Sequence, residues 1–175
     1  RRCLYGKDTY EYVFEYGTQF WKKYRDQRKL LSMDFFDAHE ATQEVVQYMD
    51  ERFAKWLEGL EKGGWLNDTI IIFYSDHGAH MPSLLSVMGF ESLKIEKSLP
   101  TLYLSLPRNL ADKYRVNLKE NEQKLVSAIN IFHFFNHIVD GENSPFLENS
   151  LLGYIDPDRT CDSIGAIKSM VCACK

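Results

Sequence analysis

The sequence predicts an α/β fold with a mainly parallel sheet, and three observations carry that expectation. A run of β-branched and aromatic residues from Thr69 to Ser75 lacks polar alternation, as expected of a strand covered on both faces. A shorter, mostly apolar run from Leu30 to Phe36 precedes it. Between the two lies a long segment whose apolar residues recur at steps of three and four. Strand, helix and strand over residues 30 to 75 have the length of a βαβ unit, whose crossover sets the two strands parallel and almost always right-handed. Both carboxyl ends would then lie on one edge of the sheet, where open α/β folds place their sites.

Each element has its own signals. Asp8 to about Tyr24 reads as a helix, with Asp8 placed to cap it, Glu11 placed to reach back, and Val13, Phe14, Phe20, Trp21 and Tyr24 expected to face inward. A basic linker, Lys22 to Lys29, leads into the strand at Leu30 to Phe36, which ends at Asp37-Ala38-His39-Glu40. The clearest helix follows, with Val45, Val46, Met49, Phe53, Trp56, Leu57 and Leu60 on one face and Gly63-Gly64 to stop it. After a turn at Asn67-Asp68, the strand from Thr69 to Ser75 breaks at Asp76-His77-Gly78. Residues 79 to 96 read as loop. Leu99 to Leu106 reads as a strand bounded by Pro100 and Pro107, positions that an edge or strand terminus tolerates. Asn121 to Val139 reads as a second strong helix, with Leu125, Ala128, Ile129, Phe132 and Phe135 on one face and Gly141 just past its end. Residues 141 to 175 form an irregular, cysteine-bearing tail.

Composition bounds the function classes. The 175 residues, 45% of them hydrophobic and with only 10 Gly and 5 Pro, suffice for the core of one domain spanning residues 1 to 175, which excludes disordered and low-complexity readings. The net charge is −4 and neither sign gathers into a run of five or six, so bulk charge attracts neither nucleic acid nor an anionic membrane. The longest apolar stretch, around Ile70 to Tyr74, is far short of the roughly 20 residues needed to cross a bilayer. The chain starts at Arg1 without an initiator Met or an apolar leader, and is expected to be a piece of something longer.

Of the four cysteines, Cys3 stands near the start while Cys161, Cys172 and Cys174 crowd the end. A zinc cluster usually takes two close pairs of ligands with two to four residues inside each pair, and Cys172-Ala173-Cys174 has one. Disulfides in an oxidising compartment fit better. At least two of Cys161, Cys172 and Cys174 are expected to be bridged, though not Cys172 to Cys174. Asn67-Asp68-Thr69 is an N-glycosylation acceptor pattern, which on its own is weak support for secretion.

Asp and His supply oxygen and nitrogen donors suited to zinc or manganese, and Asp76-His77 stands where the chain leaves a strand and Gly78 permits an abrupt bend. Asp76 also suits a turn or cap, and His77 a surface position. Asp37 and His39 stand at the other strand end, where Asp37 with Glu40 equally makes a capping box and His39 could simply be solvated. His80 is near enough to join the site, though a loop histidine is more often exposed. His133 and His137 have a spacing that can bind zinc, but their neighbours Phe134, Phe135 and Asn136 favour a packed helix. No nucleophile elbow, phosphate-cradling loop or dinucleotide fingerprint occurs, and Ser75 has no evident base.

The run from Asn67 through Asp76-His77-Gly78 resembles the signature late strand of the alkaline phosphatase and sulfatase superfamily. That resemblance implies a three-layer α/β sandwich with a mainly parallel sheet, of which this chain is the carboxyl-terminal part. It also implies a divalent metal (zinc, manganese or calcium) held by Asp76 and His77. More closely, the order of Asp76-His77-Gly78, Glu96-Lys97-Ser98-Leu99-Pro100, Leu104-Ser105-Leu106-Pro107 and Arg159-Thr160-Cys161 to Cys172-Ala173-Cys174 is similar to an animal family of sulfatase-like domains of unknown function. Its members look extracellular or membrane-tethered. The superfamily's nucleophile and first metal-binding acid belong to its amino-terminal half, and this chain is expected to begin after them. The superfamily's two-metal phosphatases place three residues between a second Asp and His. Asp37 and His39 have one between them and Asp34 and His39 have four, so neither pair matches. The resemblance thus implies a metal-dependent hydrolase or transferase of sulfate or phosphate esters, with His39 and Asp37 touching substrate or a second ion. A non-catalytic extracellular interaction domain on the same fold is the alternative, and no nucleic acid or membrane contact is expected from this segment.

Overall fold

The computed structural model describes residues 3–40, 44–79 and 86–164. These fall into two compact units, one formed by the chain up to Leu66 with the short stretch ending at Gly89, the other by the chain from Asn67 to Ala79 and from Phe90 onward.

In the first unit, β1 (Cys3–Leu4) and β2 (Lys7–Asp8) pair antiparallel around Tyr5-Gly6, both at positive φ (48° and 81°), as a tight two-residue hairpin requires. Helix α1 (Thr9–Lys23) follows, with Asp8 at its N-cap position. The expected capping box does not form. Asp8 instead accepts the Tyr10 hydroxyl at 3.0 Å and lies 3.3 Å from the Cys3 sulfur, so the hairpin competes successfully for its carboxylate. The buried stripe of α1 is Tyr10, Phe14 and Gly17: of the residues expected inside, Phe14 is buried, Val13, Phe20 and Trp21 are half-buried and Tyr24 is exposed. Helix α2 (Val45–Lys62) packs on it through Met49, with Phe53 and Trp56. The Phe14 ring sits 5.2 to 5.9 Å from those of Phe35, Trp56 and Phe53. Trp56 donates its indole N–H to the Thr18 hydroxyl at 2.9 Å, which in turn donates to the Phe14 carbonyl at 2.9 Å, so the buried polar atoms at this contact are satisfied. Gly64, at φ 72°, turns the chain out of α2.

The strand expected at Leu30 to Phe36 is absent. The segment is extended and keeps the period of two, with Leu31, Met33 and Phe35 half-buried and Leu30, Ser32, Asp34 and Phe36 exposed, but no ladder partner meets it among the described residues. The βαβ crossover expected over residues 30 to 75 is therefore not formed among them. A strand is defined by its neighbour, and alternation reports only that one face is covered.

The second unit is built on β3 (Ile71–Tyr74) and β4 (Leu102–Ser105), which pair antiparallel with Ile72 opposite Leu104 and Phe73 opposite Tyr103. One face, with Ile70, Ile72, Leu102 and Leu104, packs on Phe134, Leu151 and Leu152. The other carries Phe73 and Tyr103, exposed, with ring centroids 6.4 Å apart. An unbroken apolar run asks for cover on both faces, but it does not fix the direction of the neighbouring strand.

Helix α3 (Phe90–Ser98) occupies part of the region read as loop; its residues show no clear apolar stripe, which is why periodicity misses it. Short helices α4 (Arg108–Lys113) and α5 (Arg115–Asn121) follow β4. The second strong helix, α6 (Ala128–Asp140), starts later than expected, at a capping box in which the Asn130 side chain accepts the Ser127 backbone N–H at 2.8 Å. Its buried residues are Asn130, Phe134 and His137, whereas Ile129 and Phe132, expected inside, are more than half exposed. Gly141 ends it at φ 63°.

The tail is irregular up to Ile164, as expected, yet it is packed. Ser150, Leu151, Leu152, Ile155 and Cys161 are buried. Asn117 and Asn121 of α5 donate to the carbonyls of Leu152, Leu151 and Gly153 at 2.9 to 3.1 Å. Asn130 donates to the Asn149 carbonyl at 2.7 Å while Arg159 reaches its oxygen at 3.3 Å and the Leu125 carbonyl at 3.2 Å. Backbone carbonyls that lack a ladder are thus taken up by buried amides.

His137 organises a directional hydrogen-bond chain. The Tyr114 hydroxyl donates to Glu142 at 2.7 Å, so its oxygen accepts from His137 Nε2 at 3.2 Å. In the neutral imidazole, which burial favours, Nδ1 then accepts from the Ser150 hydroxyl at 3.1 Å, and Ser150 accepts the Leu152 N–H at 3.3 Å. Burial pushes His137 below its ordinary value, with Glu142 opposing and Lys113 adding to the shift. The unfolded chain therefore takes up a proton more readily, so stability is full above pH 6.5 and falls as pH drops from there toward the folded-state value. Glu142, held below the usual carboxylate range by Lys113 and Tyr114, adds its own loss only at more acid pH. Melting temperatures measured from pH 7.5 to 5 are expected to fall in the native protein and to flatten in His137→Gln; parallel curves would remove His137 as the cause.

Candidate functional site

Asp76, His77 and Gly78 follow β3 at its carboxyl end. The Ser75 N–H donates to the Thr101 carbonyl at 3.0 Å, prolonging the pairing with β4 to the edge of the turn. The turn is then closed locally. Ser75 donates its hydroxyl to the His77 carbonyl at 2.6 Å, and the His77 N–H donates to Asp76 Oδ1 at 3.0 Å. Gly78 donates its N–H to the Lys97 carbonyl of α3 at 3.1 Å, and a Cβ at this position would stand 1.9 Å from the Glu96 carbonyl oxygen. The backbone approaches a helix end too closely for any side chain, which gives the glycine its reason.

The two side chains come together. His77 Nε2 lies 3.5 Å from Asp76 Oδ2, with Asp76 largely exposed and His77 partly so. His77 Nδ1 lies 2.9 Å from the Gly78 carbonyl, an atom that can only accept, so Nδ1 is the donor of that contact and Nε2 is the nitrogen turned toward Asp76. Zinc bonds imidazole nitrogen and carboxylate oxygen at about 2.0 to 2.2 Å, and two such donors at a near-tetrahedral angle stand about 3.4 Å apart. The pair therefore fits two positions around one divalent ion, with a backbone carbonyl orienting the imidazole as metal-site histidines are commonly oriented. Among the described residues no group of three His, Cys, Asp or Glu side chains gathers around a common point.

Asp37 and His39 belong to the first unit, in a turn closed by the His39 N–H on the Phe36 carbonyl at 3.0 Å. Asp37 is half-buried and His39 exposed. The capping role weighed for Asp37 is not taken up: Glu40 accepts the Val45 N–H at 3.3 Å, and the residue before α2 is Glu44. His80, Cys172 and Cys174 lie outside the described residues. His133 holds the Glu148 carbonyl at 3.0 Å, and with His137 it serves packing, as the aromatic neighbours suggested. Periodicity missed the role of α3, whose Glu96 and Lys97 carbonyls shape the turn; the one signal for it is a glycine directly after the Asp-His pair.

Among the described residues no helix is long and apolar enough to cross a membrane. Neither a curated protein nor a solved structure matches the chain. One family model does, that of the family described as Protein of unknown function (DUF229), over residues 1–175. The match spans the Asp-His strand end, the Glu96–Pro100 segment and the cysteine-bearing tail together, and the chain belongs to this sulfatase-like family of unknown function.

Proposed function

We propose that this chain is the carboxyl-terminal part of an alkaline phosphatase-like sandwich acting as a metal-dependent hydrolase or transferase of sulfate or phosphate esters. The observation that carries the reading is the Asp76–His77 pair, with Nε2 and Oδ2 3.5 Å apart and Nδ1 tied to a backbone carbonyl. Asp76 and His77 would supply two ligands to a zinc, manganese or calcium ion. Such an ion, when bound, neutralises charge on the transferred group and keeps a nucleophilic oxygen ionised. Asp37 and His39 are proposed to touch the ester or a second ion.

The test uses the full-length protein. Elemental analysis is expected to find a divalent ion that Asp76→Ala and His77→Ala each lose, with metal-dependent turnover of aryl sulfate or phosphate esters lost in parallel. Unchanged metal in both variants would defeat the assignment. Metal bound and lost as expected, without turnover of either ester class, would favour the non-catalytic interaction domain.

The location proposed is extracellular or lumenal. Cys161 is buried at the start of the cysteine-bearing end of the tail. We infer that Cys161 pairs with Cys172 or Cys174, closing a loop of about a dozen residues worth on the order of 3 kcal/mol in the chain-entropy model. Peptide mapping of unreduced protein should recover that bridge; three free thiols in the tail would return a reducing compartment.

A further inference from the structure

We propose that Asn67 is a modification site, bearing an N-linked oligosaccharide on its side-chain nitrogen. The inference rests on the lumenal location proposed above. Of the eight asparagines, only Asn67 heads an Asn-X-Ser/Thr triplet with X other than proline, since Asn143-Ser144-Pro145 lacks the hydroxyl residue at the third position. The fold separates it further from three of the others. Asn121 and Asn130 are buried, and Asn117 is engaged on the Leu152 carbonyl. Asn67 is exposed, as is Asp68, and it closes a 3-10 turn, Trp65–Asn67, before the chain straightens through Thr69 into β3. Asn67 is the last residue of that short turn, Asp68 and Thr69 lie in neither helix nor ladder, and β3 begins only at Ile71, so neither an α-helix nor a strand ladder encloses the triplet.

In the transfer, the Asn67 amide nitrogen attacks the anomeric carbon of a lipid-diphosphate-linked oligosaccharide. A carbon–nitrogen bond forms, and the carbon–oxygen bond to the diphosphate breaks. The lipid diphosphate departs with the electron pair, and a base of the transferase takes the amide proton. Transfer meets the chain as it enters the lumen, so the half-buried position of Thr69 in the finished fold is no obstacle. The folded protein needs only room at Asn67, which its exposure supplies. Attachment is at the amino end of β3, whereas Asp76 and His77 follow its carboxyl end, so the glycan leaves the candidate metal ligands uncovered.

The test is expression of full-length protein in animal cells, with fractionation to locate it and peptide mapping after enzymatic deglycosylation. The expected result is a mobility shift on deglycosylation and conversion of Asn67 to Asp in the recovered peptide. Asn67→Gln and Thr69→Ala abolish both, Thr69→Ser retains them, and metal content stays the same in Asn67→Gln. Protein recovered from the lumen or medium with Asn67 unmodified overturns the acceptor assignment while leaving the location standing. Protein confined to the cytosol overturns the location, and the modification with it.

Discussion

Gly78→Ala is expected to cost the second unit about 3 kcal/mol, the upper part of the usual range for overpacking, and to abolish metal binding with it. The added Cβ would meet the Glu96 carbonyl oxygen at 1.9 Å and its carbon at 2.7 Å. These are backbone atoms in a helix, with no rotamer to yield. Either the last turn of α3 moves away, breaking the Gly78 N–H bond to the Lys97 carbonyl, or the turn after β3 opens and carries His77 off the Gly78 carbonyl that orients it. Denaturant titration and elemental analysis of the same preparation read both effects. Gly59→Ala is the control: inside α2, nothing lies within 4 Å of its Cβ position, so alanine should stabilise by roughly 0.5–1 kcal/mol. A Gly78→Ala protein as stable and as metal-rich as the native one would show that the contact with α3 is not what shapes the turn.

Elements that need only one local signal are legible in the sequence. Helices α1 and α2 were legible from apolar spacing, joined in α2 by a glycine stop, and the glycine after α6 marked its end. The Asp-His pair was legible as a strand-end feature, and the structure adds the 3.5 Å separation and the contact of Nδ1 with the Gly78 carbonyl. What failed was whatever depends on a partner distant in sequence. Leu30 to Phe36 keeps strand alternation but meets no strand among the described residues. The direction of pairing at β3 belongs to β4, thirty residues on, and cannot be read from Ile71–Tyr74 itself. The packed tail was illegible for the same reason: its order comes from Asn117, Asn121 and Asn130, whose amides look like surface residues until their carbonyl partners are known.

Helix α6 is where that failure has its largest measurable consequence. Its apolar face, read from Ile129, Phe132 and Phe135, pointed to Phe132 as a core residue, whereas the buried line is Asn130, Phe134 and His137. Two of those three are polar, so a count of apolar residues by helical position selects the wrong face. Phe134 is 1% exposed and joins the covered face of the β3–β4 sheet to Leu151 and Leu152 of the tail. Phe134→Ala removes a large, almost fully buried side chain from this cluster, and is expected to destabilise the unit by about 3–5 kcal/mol, a cost that includes the cavity left behind. Phe132 is 55% exposed and meets mainly the ring edges of Phe146 and His133, so Phe132→Ala should cost about 1 kcal/mol or less. Amide hydrogen exchange adds a spatial readout. Because Leu152 and its neighbours are held to α6 through Phe134 and through the His137–Ser150 bond, protection in the tail should fall together with protection in α6 in Phe134→Ala, and stay native in Phe132→Ala. If Phe132→Ala proved the more damaging of the two, the apolar count would be right and the assignment of the buried face wrong.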